Sequence, residues 1–270
     1  MNNHKIKYFY QNFLIAVSCV FLIILSACNN GNFEDNSQLA LVNIKNFDRA
    51  QLGYLVDKVC KSNPKVVVLD FRLSELKDPL TDSIFRKSIE DGNVKFVFTT
   101  SIKGIFLTKG TEEFTGNLKR STNSFFKVGE YLEGHTDTFS ENKQDKPVMT
   151  TYPLSIHLKD EISQHASVLT AFYIDSLVTQ KYISYHKNYE ADLNLSKART
   201  NLYQTVDVPF EKIDSYTWKK LSNKIVIMGY IGPTYEDKKY TYLNENDFET
   251  PDTYGPFIVA EIISNILNIH

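Results

Sequence analysis

The chain has 270 residues, 42% of them hydrophobic and 13% aromatic, so it can bury a core as one large domain or two small ones and is not a disordered polymer. Its 30 basic and 32 acidic residues leave a formal net charge of −2. That balance lacks the basic excess on which nucleic-acid binding draws, so nucleic acid is discounted as a partner.

The first element in chain order is a leader. His4, Lys5 and Lys7 make a basic start, an apolar run of thirteen residues covers 13–25, and Leu25, Ser26, Ala27 and Cys28 close it. Thirteen residues fall short of the roughly 20 that a spanning helix needs. The Leu-Ser-Ala-Cys ending resembles the lipobox of bacterial lipoproteins. That resemblance implies a signal peptide at 1–27 and lipidation of Cys28, with palmitate as the expected label. An uncleaved anchor helix is the alternative, and both readings put the body in the cell envelope, outside the cytoplasm. Residues 28–38 read as a polar tether. Cys19 lies in the apolar run and Cys28 in the lipobox, which leaves Cys60 without a disulfide partner. Its neighbours Leu55, Val56 and Val59 predict a packed, inert thiol.

Residues 39–44 predict a short apolar strand, after which Asp48 caps a helix carrying Leu52, Leu55, Val56 and Val59 at helical spacing. Residues 64–71 are a continuous β-branched run, the pattern of a strand covered on both faces. Thr81 or Asp82 begins a second helix with Ile84, Phe85 and Ile89, stopped by Gly92, and 94–100 make a third strand. The β-α-β-α-β order implies parallel pairing. From 101 to about 163 the chain is rich in Thr, Ser, Lys and Gly and reads as irregular strands and loops. Leu169, Phe172, Tyr173 and Leu177 then share one helical face, a short helix surrounds Trp218, and 224–229 supply another buried strand. Val259, Ile262, Ile263, Ile266 and Leu267 form the apolar stripe of a closing helix. The expected fold class is α/β: a single domain, 39–270, with a largely parallel central sheet flanked by helices and an irregular middle insertion.

The loop after 224–229 invites a test for a phosphate cradle. Gly229 and Gly232 do not fit Gly-x-x-x-x-Gly-Lys followed by Ser or Thr, Pro233 removes a backbone donor, and Glu236 and Asp237 add negative charge. His135 with Asp137, and His157 with His165, lack the helical i, i+4 spacing of zinc motifs and read as solvated surface groups. There is no Gly-x-Ser-x-Gly elbow. An enzyme, a cofactor and a bound metal are therefore not expected.

Several segments together carry a family resemblance: "NFDRAQLGYLVDKV", "NPKVVVLDF", "DPLTDSIFRKSIED", "KFVFTT" and "NKIVIMGYIG…EDKKYTYLN…TPDTYGPFIVAEIISNIL". In this order they resemble the type-two CHASE domain, a sensory module associated with cyclases and histidine kinases, in its Bacteroidetes-like version. The resemblance implies an extracytoplasmic ligand-sensing domain, and it is strongest at the two ends of the domain. Two departures matter. Nothing after Asn265 resembles the membrane helices that follow in the family, so the expectation is a sensor without its own output domain. Where the family often has His-Ala-Asn, this chain has Val259, Ala260 and Glu261, so that histidine's role is not carried over.

In an open parallel sheet, ligands lie outside the carboxyl ends of the strands. Asp70 and Arg72 end one predicted strand, Thr99 and Thr100 another, and Gly229 a third, with Asp237 in the loop beyond. Asp70, Arg72, Thr100, Gly229 and Asp237 are the candidate residues around a small polar ligand or a divalent cation. The alternative is that Asp70 caps a turn or pairs with Arg72. Residues 250–255 read as a cap for the closing helix. Two functional classes follow: a lipid-anchored sensor of an unknown small ligand, or a non-sensing scaffold bound to an envelope signalling partner.

Overall fold

Strands that are apolar on both sides need cover on both sides, and the sheet at the centre of this protein has it. The computed structural model describes residues 37–107, 114–119, 122–143, 146–158, 161–186, 190–193, 195, 203–232, 238–239, 241 and 253–269. All of them fall within one unit, Ser37–His270. The predicted signal peptide, its lipobox and Cys28 lie outside the described residues, as do Asp237 and residues 250–252.

The first half holds β1 (Leu39–Asn43), α1 (Arg49–Lys61), β2 (Val66–Asp70), α2 (Pro79–Glu90), β3 (Phe96–Leu107), β4 (Phe114–Lys119) and β5 (Tyr131–His135). A middle group follows: β6 (Phe139–Lys143), β7 (Lys146–Pro153), β8 (Ser155–Leu158) and β9 (Glu161–Gln164). Then come α3 (Ala166–Ile174), α4 (Ser176–Tyr185), β10 (Glu190–Asp192), β11 (Tyr203–Val206), β12 (Ile225–Gly229), β13 (Lys238–Lys239), β14 (Thr253–Tyr254) and α5 (Gly255–Leu267). Six strands run parallel in the order β11-β1-β12-β2-β3-β5, and the far half of β3 pairs antiparallel with β4. The fold is thus the expected mixed α/β domain. The order of β1, β12 and β2 is a finding of the structure: β12, from the far end of the chain, inserts between two strands that are consecutive in sequence.

Side chains alternate across the sheet. Ala40, Val42, Val67, Leu69, Phe96, Phe98, Val226 and Met228 pack under α1 and α2. Leu39, Leu41, Val66, Val68, Val97, Ile225 and Ile227 pack under α3 and α5, against Ala166, Val259, Ala260 and Ile263. The helix caps explain the boundaries. Asp48 forms a capping box with Gln51 at the start of α1, as its position implies. The expected start of α2 at Thr81 or Asp82 is corrected: Asp78 is the cap, accepting from the Thr81 N–H at 2.9 Å, and Pro79 holds the first helical position. Asp82 is instead buried 3.5 Å from Arg49, whose guanidinium lies 4.8 Å from the Phe126 ring centroid. Ile84, expected on the buried face, is exposed.

Two further expectations change. The middle is more regular than its composition suggests, because β5 joins the parallel sheet and β6, β7 and β10 form a second, antiparallel sheet. The face drawn through Leu169, Phe172, Tyr173 and Leu177 is broken at Asp175, which has extended backbone (φ −148°, ψ 98°) and caps α4 by accepting from Val178 N–H. Phe172 and Leu177 are exposed, and the buried side of α3 is Ala166, Ser167, Val168, Thr170 and Ala171. Cys60 is buried as expected, and burial pushes its thiol up to about 12.

Candidate functional site

Parallel register brings the strand ends level. Asn43, Gly229 and Asp70 stand side by side on β1, β12 and β2, while Thr100 at β3 is level with His135 at β5. A cavity of about 520 Å³ opens at this carboxyl edge. Asp70, Arg72, Thr99, Thr100, His165 and Tyr230 line it, with Lys239 and the first residues of α5, Gly255 and Pro256, on the remaining side. Four sequence candidates therefore come together: Asp70, Arg72 and Thr100 in the wall, and Gly229 at the adjacent strand end.

Their roles differ. The Asp70 carboxylate is half-buried, and its Oδ2 lies 3.4 Å from where a Cβ on Gly255 would stand. It thus faces the first turn of α5, whose cap residue Tyr254 makes no side-chain capping bond and whose first turn carries no acid. A carboxylate there complements the positive end of the helix dipole. The expected cap within 250–255 is not made by Tyr254; Asp70 supplies the negative charge from another element. Gly229 is required by packing: a Cβ would come within 2.4 Å of Pro256 Cγ. The loop beyond it is clamped by Asn43, whose Nδ2 donates to the Ile231 carbonyl at 2.7 Å and whose Oδ1 accepts from Ile231 N–H at 3.0 Å. The glycine loop is therefore fixed by close packing and by one asparagine, which sequence reasoning missed because its partner lies 188 residues away. Arg72 is exposed at the rim.

Buried polar groups in the wall are the more informative feature. The Thr99 hydroxyl donates to the Leu69 carbonyl at 3.1 Å, but Thr100 Oγ1 is buried with no hydrogen-bond partner. His165 and His135, read from sequence as surface groups, are both buried, with ring centroids 5.2 Å apart at a parallel bridge between the two residues. His135 Nδ1 lies 3.2 Å from Ser163 Oγ. Burial pushes the His135 imidazole down to about 4 and holds His165 well below the ordinary histidine value, with the neighbouring His135 adding to the effect on His165. His165 Nδ1 caps α3 by accepting from Ser167 N–H at 3.2 Å, and its Nε2 is buried without a partner. Among the described residues no group of three or more His, Cys, Asp or Glu is placed to hold a metal ion.

Fold and site define the class: a single α/β domain with a largely parallel sheet and a polar cavity at its carboxyl edge. The chain matches the model of the CHASE2 domain over residues 34–270 and belongs to that family, whose members are extracellular sensory domains. Comparisons with curated proteins and with solved structures give no match. Among the described residues no helix is long and apolar enough to cross a membrane.

Proposed function

We propose that this protein is a lipid-anchored CHASE2 sensor of the Bacteroidetes-like version, held in the cell envelope through Cys28, that binds a small polar ligand in the cavity at the sheet edge. The observation that carries the reading is the pair of buried, unpartnered polar atoms, Thr100 Oγ1 and His165 Nε2, on two residues that line a 520 Å³ cavity. Native interiors rarely leave such groups unsatisfied, and a bound ligand would satisfy them. Asp70 and Arg72 are the charged wall and rim residues of the proposed site. A thermal-shift screen of the full chain in detergent, against metal ions and small metabolites, tests this. A ligand of this cavity raises the Tm of wild type, and Asp70→Asn changes that shift, reducing it for a cation or hydrogen-bond donor and enlarging it for an anion; hits whose shift is the same in Asp70→Asn would place binding elsewhere. Labelling with palmitate tests the anchor, because wild type should incorporate it and Cys28→Ala should not.

A partner-binding reading has its own support. Leu76, Leu80 and Ile84 are exposed together on and before α2, with Leu80 at 70%. A lipid anchor in one leaflet cannot carry a conformational change across a membrane, so a sensor of this kind needs a second membrane protein for its output. Photo-cross-linking from position 80 in cells should give one discrete adduct, and its absence removes the α2 contact.

A further inference from the structure

The His165 ring has a defined donor and a defined acceptor. Its Nδ1 accepts the Ser167 N–H, so in the neutral imidazole the proton sits on Nε2, and that N–H is buried and unpartnered, on a residue that lines the cavity. His165 is 1% exposed and Thr100 3%, so both belong to the deep end, whereas Arg72 and Lys239 are exposed at the rim. A molecule that fills the cavity must bring an acceptor oxygen inward and meets two cations on the way.

We infer that the cavity takes a small organic carboxylate, one oxygen of which accepts from His165 Nε2–H, with its charge matched by Arg72 and Lys239. The inference rests on the reading of the cavity as the sensory site. A bare metal or ammonium ion is disfavoured at His165, whose Nε2–H is a donor where a cation needs an acceptor. A phosphate fits poorly too: it calls for several convergent N–H groups, while Pro256 removes one from the first turn of α5. A neutral polyol would leave the rim cations unused.

Two substitutions separate the cap from the donor. In His165→Asn the amide oxygen can still accept from Ser167 N–H, since Asn is a good N-cap, but the Nε2–H is gone. His165→Gln places an N–H near the Nε2 position and forfeits the cap. The probes are acetate, succinate and glutamate, set against succinamide, glucose and inorganic phosphate, measured by thermal shift and titration calorimetry on the full chain in detergent. A carboxylate should raise the Tm where its amide counterpart does not. His165→Asn should weaken that binding about ten- to a hundredfold with little change in unliganded Tm, as expected for a lost hydrogen bond to a charged group. His165→Gln should bind within a few-fold of wild type despite a lower Tm. Unchanged carboxylate affinity in His165→Asn overturns the inference. Shifts from succinamide, glucose or phosphate alone overturn the carboxylate and leave the cavity as sensory site. If nothing in this panel or in the metabolite screen binds, both readings fall.

Discussion

The two faces of the central sheet each bury a polar pair, and the pairs are built for opposite ends. Under α1 and α2, Arg49 and Asp82 carry full charges 3.5 Å apart, and each has further contacts: Asp82 Oδ2 accepts from Lys77 N–H at 2.7 Å, and the Arg49 guanidinium reaches the Glu75 carbonyl and the Phe126 ring. These contacts tie the chain between β2 and α2 to both helices. Under α3, by contrast, His135 and His165 touch as rings that burial keeps neutral, and His165 retains an unused N–H beside the cavity. Arg49 Nη1 and Asp82 Oδ1 make no hydrogen bond of their own but face each other as opposite charges, whereas Thr100 Oγ1 and His165 Nε2 are left unpartnered on neutral groups of residues that line the cavity. An unused atom of an ion pair is compensated by its counter-charge, and an unused atom of a neutral group is not.

Breaking the charged pair should have the largest effect. Asp82→Ala leaves Arg49 buried without its counter-charge and frees the Lys77 backbone donor, at an expected cost of about 3–5 kcal/mol. Urea denaturation followed by circular dichroism measures it. Combining Arg49→Met with Asp82→Leu should recover most of the loss, since an apolar pair of similar volume removes both desolvated charges; a double variant as unstable as the single would mean that the pair holds the loop by geometry.

The histidine face should break with acid. His135 titrates at about 4 in the folded protein against an ordinary value of 6.5, so below pH 6.5 the unfolded chain takes up a proton that the folded chain resists. The stability this ring contributes is whole above about pH 6.5 and is lost progressively as pH falls towards 4, with a magnitude of about 3 kcal/mol. His165 adds a loss of the same sign. The urea midpoint should therefore fall between pH 7.5 and 4.5, and the fall should be smaller in His135→Gln. Equal slopes in the two proteins would remove His135 as the cause.

The same contrast explains what could be read in advance. Val66–Asp70 and Ile225–Gly229 were legible as strands because burial on both faces leaves an unbroken apolar run, and Asp48 was legible as a cap because its partners lie within one turn. The convergence of Asp70, Arg72 and Thr100 followed from a general property of parallel sheets. Strand order did not follow, since β12 reaches its place between β1 and β2 through contacts about 160 to 190 residues apart in sequence. The histidine pair was misread for a similar reason: nothing local to His165 announces burial, which is imposed by His135 and Tyr152 packing from β5 and β7. Asp175 was read as part of one continuous helix because the apolar spacing runs on through it, and its capping bond outweighs that spacing.

The smallest expected effect sharpens the comparison most, because its sign separates a structural hydroxyl from a reserved one. Thr170 Oγ1 donates to the Ala166 carbonyl at 2.8 Å, so Thr170→Val should cost about 1 kcal/mol. Thr100 is buried to nearly the same degree, but its Oγ1 has no partner. Valine there replaces an unsatisfied hydroxyl with a methyl of nearly the same shape, on a strand, where a β-branched residue is favoured. Thr100→Val should leave the unliganded protein unchanged or stabilise it by up to about 1 kcal/mol, at the expense of ligand binding. Denaturation of the two variants in parallel decides the matter. If Thr100→Val destabilises as much as Thr170→Val, the Thr100 hydroxyl serves the fold, and the cavity loses one of the two groups that mark it as a binding site.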